Sequence, residues 1–463
     1  MTRAHTANPM QLHVARTWQL GSPAGQLRAA PVQLGPHGPH AILVAYAADF
    51  DVDPYVEMFF FPSDTLKLAL LGLDGSLLWR RDLGRAVVPG MWFCPLLPFD
   101  LDGDGVDEIY FVNNTDARHP LGISHYVLER IDARTGATTG QWPWPAHNRG
   151  QDLSAQFRNF LAGGYAQGEP VLVSAQGTYH DMYLQAWRPD MSWRWQHAIA
   201  ADAPGARGSH QTPVLDLNHD GVDELLWGER CIELDTGREL FCADRALYRG
   251  HSDIIQPVCD RAAGRWLIFT AREGDDHAAP RIACFDDAGR RLWGALDHGH
   301  MDMGWVARWH PDGSHIAMAI RIGHKTCGPD GRSHDGIEQF AFVARTGEPF
   351  DPGFSLYRTI PVDLNGDGLH ELVRAAPGGN GDVLDRSGRV CGSIGGTVAM
   401  AGKFMPLPGE QLLVYAPDGC VTVWADRAAC DTHAARERYA LPFYQRNLRL
   451  TCSGYNLGII AGA

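Results

Sequence analysis

Apolar and polar residues alternate along most of this chain, in runs that end at turns carrying Gly beside Asp, Thr or Ser. Examples of these turns are LDGSLLW (73–79), DTGRELF (235–241), DAGRRLW (287–293) and RTGEPF (345–350). A Gly at this place indicates a hairpin, because the turn needs a positive φ. Two further strand-like runs precede each turn. The pattern therefore predicts units of about four strands in roughly 40–60 residues, the size of a propeller blade.

Eight runs could form the innermost strand of such a unit. They begin near Ala30, Pro95, Phe160, Pro213, Ile254, Trp305, Pro361 and Ala399. The sequence thus predicts an all-β fold, a β-propeller of about eight four-stranded blades, with seven blades as the alternative. The last unit lacks an outer strand, and we expect the N-terminal run QLHVARTWQL (11–20) to supply it and close the ring. We expect residues 1–463 to form a single propeller domain.

Composition limits the partners and the location. The net charge of −14 argues against nucleic acid as a partner. No apolar run of about 18 residues predicts a membrane helix, so we expect no membrane partner. The N-terminal segment lacks the apolar region of a secretory signal. We therefore expect a cytoplasmic location, or a secreted or periplasmic one if a signal was removed. We also expect a monomer.

The ten cysteines are dispersed along the chain. Cys231 and Cys242 flank a hairpin-like segment and could face each other across it, although reduced thiols are the default without a secretion signal. Nitrogen and sulfur ligands suit Zn²⁺. A structural Zn²⁺ could be held by residues of neighbouring units, namely Cys231, His251, Cys259, His300, His324 and Cys327. The alternative is free cysteines and hydrogen-bonded histidines.

Three Asp-rich segments share one spacing, with oxygen-bearing side chains at positions 1, 3, 5 and 9 and a Gly at position 6. Ca²⁺ prefers about six to eight oxygen ligands, and the Gly permits a sharp turn. The predicted ligands are Asp100, Asp102, Asp104 and Glu108, then Asp216, Asn218, Asp220 and Glu224, and finally Asp363, Asn365, Asp367 and Glu371. We expect up to three structural calcium sites, on the face of the propeller opposite the one where a substrate would bind. The alternative is three polar turns.

Four segments between about residues 150 and 310 form a recognisable set. They are RNFLAGGYAQGEPVLVSAQGTYHDMYLQAW (158–187), GARGSHQTPVLDLNHDGVDELLWGERCIELDTG (205–237), YRGHSDIIQPVCD (248–260) and DHGHMDMGWVARWHPDG (297–313). These segments resemble the propeller domain of the rhamnogalacturonan lyases of polysaccharide lyase family 11. Related propeller lyases that act on rhamnose–glucuronate or ulvan chains are comparably similar. The resemblance implies an enzyme that cleaves a rhamnose- and uronate-containing polysaccharide or oligosaccharide by β-elimination.

Such an elimination needs a group that neutralises the uronate carboxylate, a base for the C5 proton and an acid for the leaving oxygen. Arg, His and Tyr side chains suit these roles, and the positions expected to face the channel are rich in them. The candidate catalytic residues are Tyr179, Arg207, His210, His125, His119 and Arg158. The candidate substrate-binding residues are His251, Arg230, Arg272, His300 and Tyr357.

Within this set, Arg207 or Arg158 would neutralise the carboxylate, and Tyr179 would act as base or acid with His210 or His125. Two other functions stay open. A glycoside hydrolase on the same scaffold, such as a rhamnosidase, would use paired carboxylates. A non-catalytic carbohydrate-binding propeller is the other alternative, because the fold alone does not separate these functions.

Overall fold

The computed structural model describes residues 10–37, 40–145, 151–275 and 277–463. Its strands form eight antiparallel blades that follow one another along the chain. The predicted all-β propeller with eight blades is therefore confirmed, and the alternative of seven is wrong. In each blade the chain runs from the innermost strand outward, except that the outermost strand of the last blade comes from the N-terminus. The starts of the innermost strands consequently share one face of the ring, and their ends share the other.

The first strand of the chain, β1 (Leu12–Gln19), belongs to the last blade. The next sixteen strands form blades 1 to 4, each ordered from the innermost strand outward. Blade 1 contains β2 (Gln26–Val32), β3 (Ala41–Ala47), β4 (Lys67–Gly72) and β5 (Leu77–Asp82). Blade 2 contains β6 (Leu96–Phe99), β7 (Glu108–Asn114), β8 (Tyr126–Asp132) and β9 (Thr138–Pro143). Blade 3 contains β10 (Asn159–Ala166), β11 (Glu169–Gln176), β12 (Met182–Trp187) and β13 (Trp193–Ile199). Blade 4 contains β14 (Val214–Leu215), β15 (Glu224–Trp227), β16 (Arg230–Glu233) and β17 (Glu239–Cys242).

The second half of the ring follows the same order. Blade 5 contains β18 (Ser252–Asp260), β19 (Arg265–Arg272), β20 (Ile282–Asp286) and β21 (Arg291–Ala295). In blade 6, β22 (His300–Arg308) and β23 (His315–Ile322) are followed by a separate hairpin, β24 (His324–Gly328) and β25 (Gly331–Asp335), and then by β26 (Glu338–Val343). Blade 7 contains β27 (Ile360–Val362), β28 (Glu371–Val373), β29 (Asp382–Leu384) and β30 (Val390–Ser393). Blade 8 contains β31 (Thr397–Gly402), β32 (Gln411–Tyr415), β33 (Cys420–Asp426) and β1.

The ring closes through its N-terminal strand, as the sequence predicts. Strand β1 pairs antiparallel with β33, so that Leu12 lies opposite Asp426 and Gln19 lies opposite Cys420. The closure gives the outer edge of the last blade a backbone partner from the other end of the chain.

A contact between neighbouring blades explains why Gly-containing turns and aromatic strands recur together. Trp79 on β5 packs against Gly136 of blade 2, and its Nε1 donates to the carbonyl oxygen of Ala133 at 2.7 Å. A Cβ at Gly136 would lie 2.9 Å from the indole ring, so a larger residue would collide with it. The same aromatic-on-glycine contact occurs between Trp195 and Gly237, Phe241 and Gly289, and Trp293 and Gly347.

The C-terminal tail packs inside the ring, a feature that the sequence analysis did not predict. A first helix, α1 (Leu153–Phe157), precedes blade 3; the tail adds α2 (His433–Tyr439), α3 (Pro442–Leu448) and two 3-10 helices, Arg449–Cys452 and Asn456–Gly462. The tail contacts innermost strands of blades 1, 2, 4, 5, 6, 7 and 8. Asn447 Nδ2, for example, donates to the carbonyl oxygen of Val214 at 2.7 Å.

Arginines fasten this tail to the blades. Arg446 pairs with Asp223, and Arg449 pairs with Asp107. Each carboxylate also accepts a backbone N–H from the preceding blade, which in the case of Asp223 comes from Tyr165 at 2.7 Å. The carboxylates therefore join two blades and the tail at one point.

A third arginine, Arg438, is fully buried. Its Nη2 lies 2.6 Å from Glu410 Oε1 and 3.7 Å from Asp363 Oδ2, and its Nη1 lies 3.1 Å from His370 Nε2. A buried charge of this kind is stable only while its partners stay in place.

Two further predictions concern membrane helices and disulfides. Across the part of the chain that the structure describes, no helix is long and apolar enough to cross a membrane. The cysteines are all unbridged. Cys231 lies opposite Phe241, whereas Cys242 lies opposite Arg230. Because neighbouring residues of a strand point to opposite faces, the two cysteines do not face each other, and the structure does not support a pairing between them.

The arginine contacts yield a stability prediction. Arg438→Met should lower the free energy of unfolding by about 3–5 kcal/mol, because it leaves the Glu410 carboxylate buried without its cation. Urea unfolding in a fixed excess of Ca²⁺ measures the change. Arg436→Met, on the exposed side of the same helix, is the control and should stay within about 0.5 kcal/mol of wild type. Adding Glu410→Gln to Arg438→Met should recover part of the loss, and equal losses in the two arginine variants would contradict the account.

Candidate functional site

The innermost strands of blades 4, 5 and 6 begin beside one another with chemically active side chains. His210 precedes β14, His251 precedes β18, and His300 is the first residue of β22. Loops and the hairpin of blade 6 add further groups at the same face. The connected set, which we call the rim cluster, consists of Tyr179, His210, His251, Asp253, Glu273, His300, Asp302 and Lys325.

One half of the rim cluster is a tyrosine–histidine pair. The hydroxyl of Tyr179 lies 2.9 Å from His210 Nε2. On the other side of the imidazole, Nδ1 lies 3.0 Å from Asp253 Oδ1, yet the two atoms are not aligned for a hydrogen bond. A buried nitrogen and a buried oxygen are therefore left facing each other without a hydrogen-bond partner, an arrangement that is costly unless something else satisfies both atoms.

Glu273 is the centre of the other half. Its Oε2 lies 2.6 Å from His251 Nε2, and its Oε1 lies 2.5 Å from His300 Nε2 and 2.9 Å from Lys325 Nζ. Lys325 also donates to Asp302 Oδ1 at 2.8 Å. One carboxylate thus holds two imidazoles and an ammonium group in fixed positions.

The hairpin of β24 and β25 brings further groups over this face. On β25, His334 Nε2 lies 3.3 Å from Asp302 Oδ2, and Arg332 Nη1 donates to the hydroxyl of Tyr455 at 3.0 Å. The turn of the hairpin reaches a loop of blade 1, where the carbonyl oxygen of Pro329 accepts a backbone hydrogen bond. The hairpin therefore spans from blade 6 to blade 1.

A cavity of about 330 Å³, which we call the channel cavity, lies inside the ring next to the rim cluster. Its polar lining includes Asp302, Arg332 and His334, together with Arg28 and Asp51. Much of the remaining lining is apolar and includes Trp305 and Val398. Ligand pockets in proteins typically have volumes of about 300–1,000 Å³, so this cavity can receive a small ligand or one unit of a chain.

Arg158 lies behind Tyr179. It is 1% exposed, and it donates to Asp53 from Nη2 at 2.8 Å and from Nη1 at 3.3 Å. Its guanidinium lies over the rings of Trp92 and Tyr179, with centroid distances of 4.8 and 5.2 Å. Because its charge is already paired, Arg158 is placed to position Tyr179 rather than to take up a second carboxylate.

Burial and neighbouring charges shift the pKa values of the cluster in opposite directions. Burial raises the pKa of Tyr179 well above its usual value and lowers the pKa of His210 well below its own. Burial and the adjacent Glu273 raise the pKa of Asp253, whereas His251 outweighs burial and lowers the pKa of Glu273. For His300, hydrogen bonds to Asp302 and Glu273 outweigh burial and raise the pKa to about 9. Such divergent shifts are common at functional sites.

Two subsets of the rim cluster have the geometry of a metal site. The ligand atoms of His210, His251, Asp253 and Glu273 all lie within 4.8 Å of one another, and so do those of Glu273, His300 and Asp302. Imidazole nitrogens and carboxylate oxygens are ligands of divalent cations. The unpartnered His210 Nδ1 and Asp253 Oδ1 fit such an ion.

The three Asp-rich segments lie on the opposite face of the ring, since each joins the first two strands of its blade. Their backbones agree closely: the glycines at position 6, Gly105, Gly221 and Gly368, have φ values of 85°, 89° and 88°. At position 9, Glu108 and Glu224 accept the backbone N–H of position 2 at 3.2 and 2.8 Å, and the third loop repeats this contact. The predicted equivalence of the loops is visible in their conformation.

The ligand set of these loops also fits a hard cation. Glu224 Oε1 and Asp363 Oδ1 are buried without a hydrogen-bond partner. Burial raises the pKa of Glu224 to about 8 and that of Glu108 to about 7. Carboxylates in this condition are stabilised by a bound cation.

Several predicted site residues do not reach the rim cluster. The guanidinium of Arg207 donates to backbone carbonyl oxygens, including those of Ala200 and Ala203. Arg230 pairs with Glu239 at 2.6 Å. Arg272 is fully buried between Glu229 and Asp244. These three arginines hold loops and strands in place, so the geometry does not support their predicted contacts with substrate.

His119 and His125 also lie apart from the rim cluster, on an exposed loop of blade 2. His119 Nδ1 lies 2.8 Å from Asp116 Oδ2, and His125 Nε2 lies 3.8 Å from the same oxygen. The three side chains form a small group with metal-ligand spacing, in which Arg118 also pairs with the carboxylate. The structure does not bring either histidine to Tyr179.

Of the remaining predicted residues, Tyr357 and some of those named for Zn²⁺ lie at or beside the rim cluster, and the others do not. Tyr357 lies next to the cluster, because its hydroxyl is 3.0 Å from His334 Nδ1. The six residues named for Zn²⁺ are not gathered at one point. His251 and His300 belong to the rim cluster, and among the described residues the groups with metal-ligand spacing contain no cysteine.

Sequence reasoning missed several groups of the site. Glu273 directly follows Arg272, and strand alternation could have identified it, because consecutive residues point to opposite sides. Lys325, Arg332 and His334 flank a GPDG turn (328–331), which is a recognisable hairpin signal. Tyr455 lies in the C-terminal tail, where no repeat pattern pointed to it.

Comparison with known proteins gives relatives of one kind. The rhamnogalacturonan exolyase YesX of Bacillus subtilis is 26% identical over 334 residues, which are 65% of this chain and 52% of the relative. The rhamnogalacturonan endolyase YesW of the same organism is 26% identical over 278 residues, 52% of this chain and 43% of the relative. The predicted resemblance to rhamnogalacturonan lyases is confirmed. No protein-family model matches the chain.

Solved structures share the fold. The crystal structure of YesX superimposes with a TM-score of 0.72 at 18% identity and covers 96% of this chain and 82% of its own. That of YesW gives 0.73 at 18% identity, with 95% and 80% covered. A rhamnogalacturonan lyase of Bacillus licheniformis gives 0.70 at 17% identity, with 96% and 80% covered. In the sequence comparison this chain matches about half the length of the two curated relatives.

Proposed function

We propose that this protein is a lyase that cleaves a rhamnose- and uronate-containing polysaccharide, or its oligosaccharides, by β-elimination at the uronic acid. The observation that carries the proposal is the rim cluster, in which a buried phenol bonded to a histidine adjoins carboxylates and imidazoles with metal-ligand spacing. These are the groups that proton abstraction beside a carboxylate needs. Relatives named as rhamnogalacturonan lyases support the same reaction class.

Tyr179 is the residue that moves the proton. His210 Nε2 lies 2.9 Å from the phenol oxygen and fixes its position. The positive charge of Arg158, over the ring at 5.2 Å, favours the phenolate against the effect of burial. The phenolate takes the C5 proton, the C5–H electron pair forms the C4–C5 double bond, and the C4–O4 bond breaks. The same phenol then gives its proton to the departing O4.

The uronate carboxylate must be neutralised while the proton leaves, and two features of the site supply positive charge. His210, His251, Asp253 and Glu273 would hold a divalent cation, which would supply the charge that acidifies the C5 proton. Arg332 lies at the wall of the channel cavity. It is 3.6 Å from Asp53, a looser pair than that of Arg158, and its buried Nε has no hydrogen-bond partner, so this guanidinium can contact the uronate carboxylate.

The hydrolase alternative is less well supported. Hydrolysis uses one carboxyl group as the acid and a second as the nucleophile or base. The carboxylates of Glu273 and Asp302 are bound to Lys325 and to histidines, and the relatives are named as lyases. The test is to incubate the protein with rhamnogalacturonan, gum arabic and ulvan in Ca²⁺. Ultraviolet absorbance of an unsaturated uronate supports the proposal, whereas new reducing ends without absorbance would indicate hydrolysis.

The role of Tyr179 can be tested by removing one oxygen. Tyr179→Phe should lower kcat by at least about 100-fold and leave KM within a few fold, because the ring still packs while the proton carrier is lost. Tyr183→Phe, in strand β12 just after the loop that carries Tyr179, is the control and should retain wild-type kcat. Unchanged kcat in Tyr179→Phe would remove this residue from the mechanism.

We also propose that the Asp-rich loops hold structural Ca²⁺. After chelation, adding Ca²⁺ at about one hundred times its Kd should stabilise the protein by about 2.7 kcal/mol for each site. Glu224→Gln should reduce this gain, because it replaces a ligand oxygen whose buried position has no other partner. Asp235→Asn changes a half-exposed carboxylate of the same blade that pairs with Arg194, and it should leave the gain unchanged. Thermal or urea unfolding measures the calcium-induced gain in each protein. An equal gain in wild type, Glu224→Gln and Asp235→Asn would contradict the proposal.

A further inference from the structure

The loop between β3 and β4 exposes an unusual run of apolar side chains. Its segment 54–61 reads PYVEMFFF. Tyr55, Val56 and Phe61 are 40%, 72% and 79% exposed. Eleven large hydrophobic residues are exposed among the described residues, and three of them fall within these few positions. Contiguous exposed apolar surface generally marks a binding surface.

This segment is held in a defined shape. The ring of Phe59 meets Phe61 edge-on at 5.1 Å and also contacts Phe93 at 6.3 Å. Phe93 in turn packs on Phe157 at 5.0 Å inside the core. Met58 is only 5% exposed and closes a turn by donating its N–H to the carbonyl oxygen of Tyr55 at 2.9 Å. The exposed side chains therefore stand on a fixed base, and we call residues 54–61 the aromatic platform.

The platform is connected to the rim cluster through Asp53 and Arg158. Asp53 Oδ1 accepts the backbone N–H of Tyr55 at 2.8 Å and the Nη2–H of Arg158 at 2.8 Å. Asp53 Oδ2 lies 3.6 Å from Arg332 on the hairpin of blade 6. One carboxylate thus anchors the platform, the arginine behind Tyr179 and the arginine at the channel cavity.

Charge distinguishes what each surface can bind. Arg332 lies beside the site, where the divalent cation proposed above would add positive charge, whereas the platform carries one charged residue, the exposed Glu57. A uronate would be repelled by Glu57 and attracted to the cations. A neutral deoxyhexose has an apolar methyl group and C–H faces, which pack well on aromatic side chains.

We infer that the aromatic platform is a substrate subsite that binds a neutral deoxyhexose unit of the polysaccharide while the neighbouring uronate occupies the rim cluster. This inference rests on the proposed function and adds to it the order of sugars across the site. Platform contacts would act on substrate binding and leave the proton transfer at Tyr179 untouched.

The test is a comparison of KM values. Phe61→Ala and Val56→Ser should raise KM for rhamnogalacturonan about 3- to 10-fold and leave kcat unchanged, because each removes apolar contact with the sugar and leaves the reacting groups in place. Trp193→Ala is the matched control, since Trp193 is 59% exposed on the outer strand of blade 3 and should leave KM unchanged. An unchanged KM in both platform variants, or an equal rise in Trp193→Ala, would overturn the inference.

The same variants test two other roles for this surface, self-association and membrane binding. Sedimentation that shows a wild-type dimer and a Phe61→Ala monomer would assign the platform to self-association and overturn the inference. Binding of wild type, but not Phe61→Ala, to phosphatidylcholine–phosphatidylglycerol vesicles would assign it to a membrane, with the same consequence. If the wild-type protein forms no unsaturated product, the proposed function is wrong. Affinity electrophoresis in rhamnogalacturonan gels would then still test the platform, because retardation should fall in Phe61→Ala and not in Trp193→Ala.

Discussion

The pairing of tail arginines with buried carboxylates is the interaction on which the rest of the molecule depends. A propeller of eight blades leaves a central channel, and in this protein the C-terminal tail occupies part of it. Arg438, Arg446 and Arg449 fasten the tail to the blades. The tail continues to Tyr455, whose N–H donates to the carbonyl oxygen of His210 at 2.8 Å and whose ring lies 5.1 Å from that imidazole. The segment that lies in the channel also supports the rim cluster.

The same contacts connect the two faces of the ring. In each Asp-rich loop, the residue before the glutamate at position 9 meets one of these arginines: Asp107 meets Arg449, Asp223 meets Arg446, and His370 meets Arg438. A cation that orders a loop would therefore also order the attachment of the tail. Calcium on one face would in this way support a site on the other face without touching the substrate.

Much of the fold was predictable because a blade is a local unit. The hairpin turns, the aromatic strands and the missing outer strand of the last blade are all visible in the sequence, and the contact of Trp79 with Gly136 explains their regular spacing. The tail was not predictable, because its short helices repeat no pattern and are stabilised by contacts with distant blades. Their helical segments are too short to be stable alone.

The site was predictable only in part, for similar reasons. Tyr179, His210 and His251 begin strands or close loops on one face, so their convergence follows from the blade pattern. Long arginine side chains can turn back to backbone carbonyl oxygens, as Arg207 does, and the sequence carries no sign of that choice. Glu273 was missed because the prediction named its neighbour Arg272. Arg272 ends β19 and binds Glu229, whereas Glu273, the next residue, binds His251.

The central claim is that the rim cluster breaks its substrate by elimination and not by addition of water. The most direct measurement is mass spectrometry of products formed in water enriched in heavy oxygen. Elimination predicts that one product of each cleavage is lighter by one water than a hydrolysis product and that neither new end carries the label. Products of full hydrolytic mass with heavy oxygen at the new reducing end would contradict the claim.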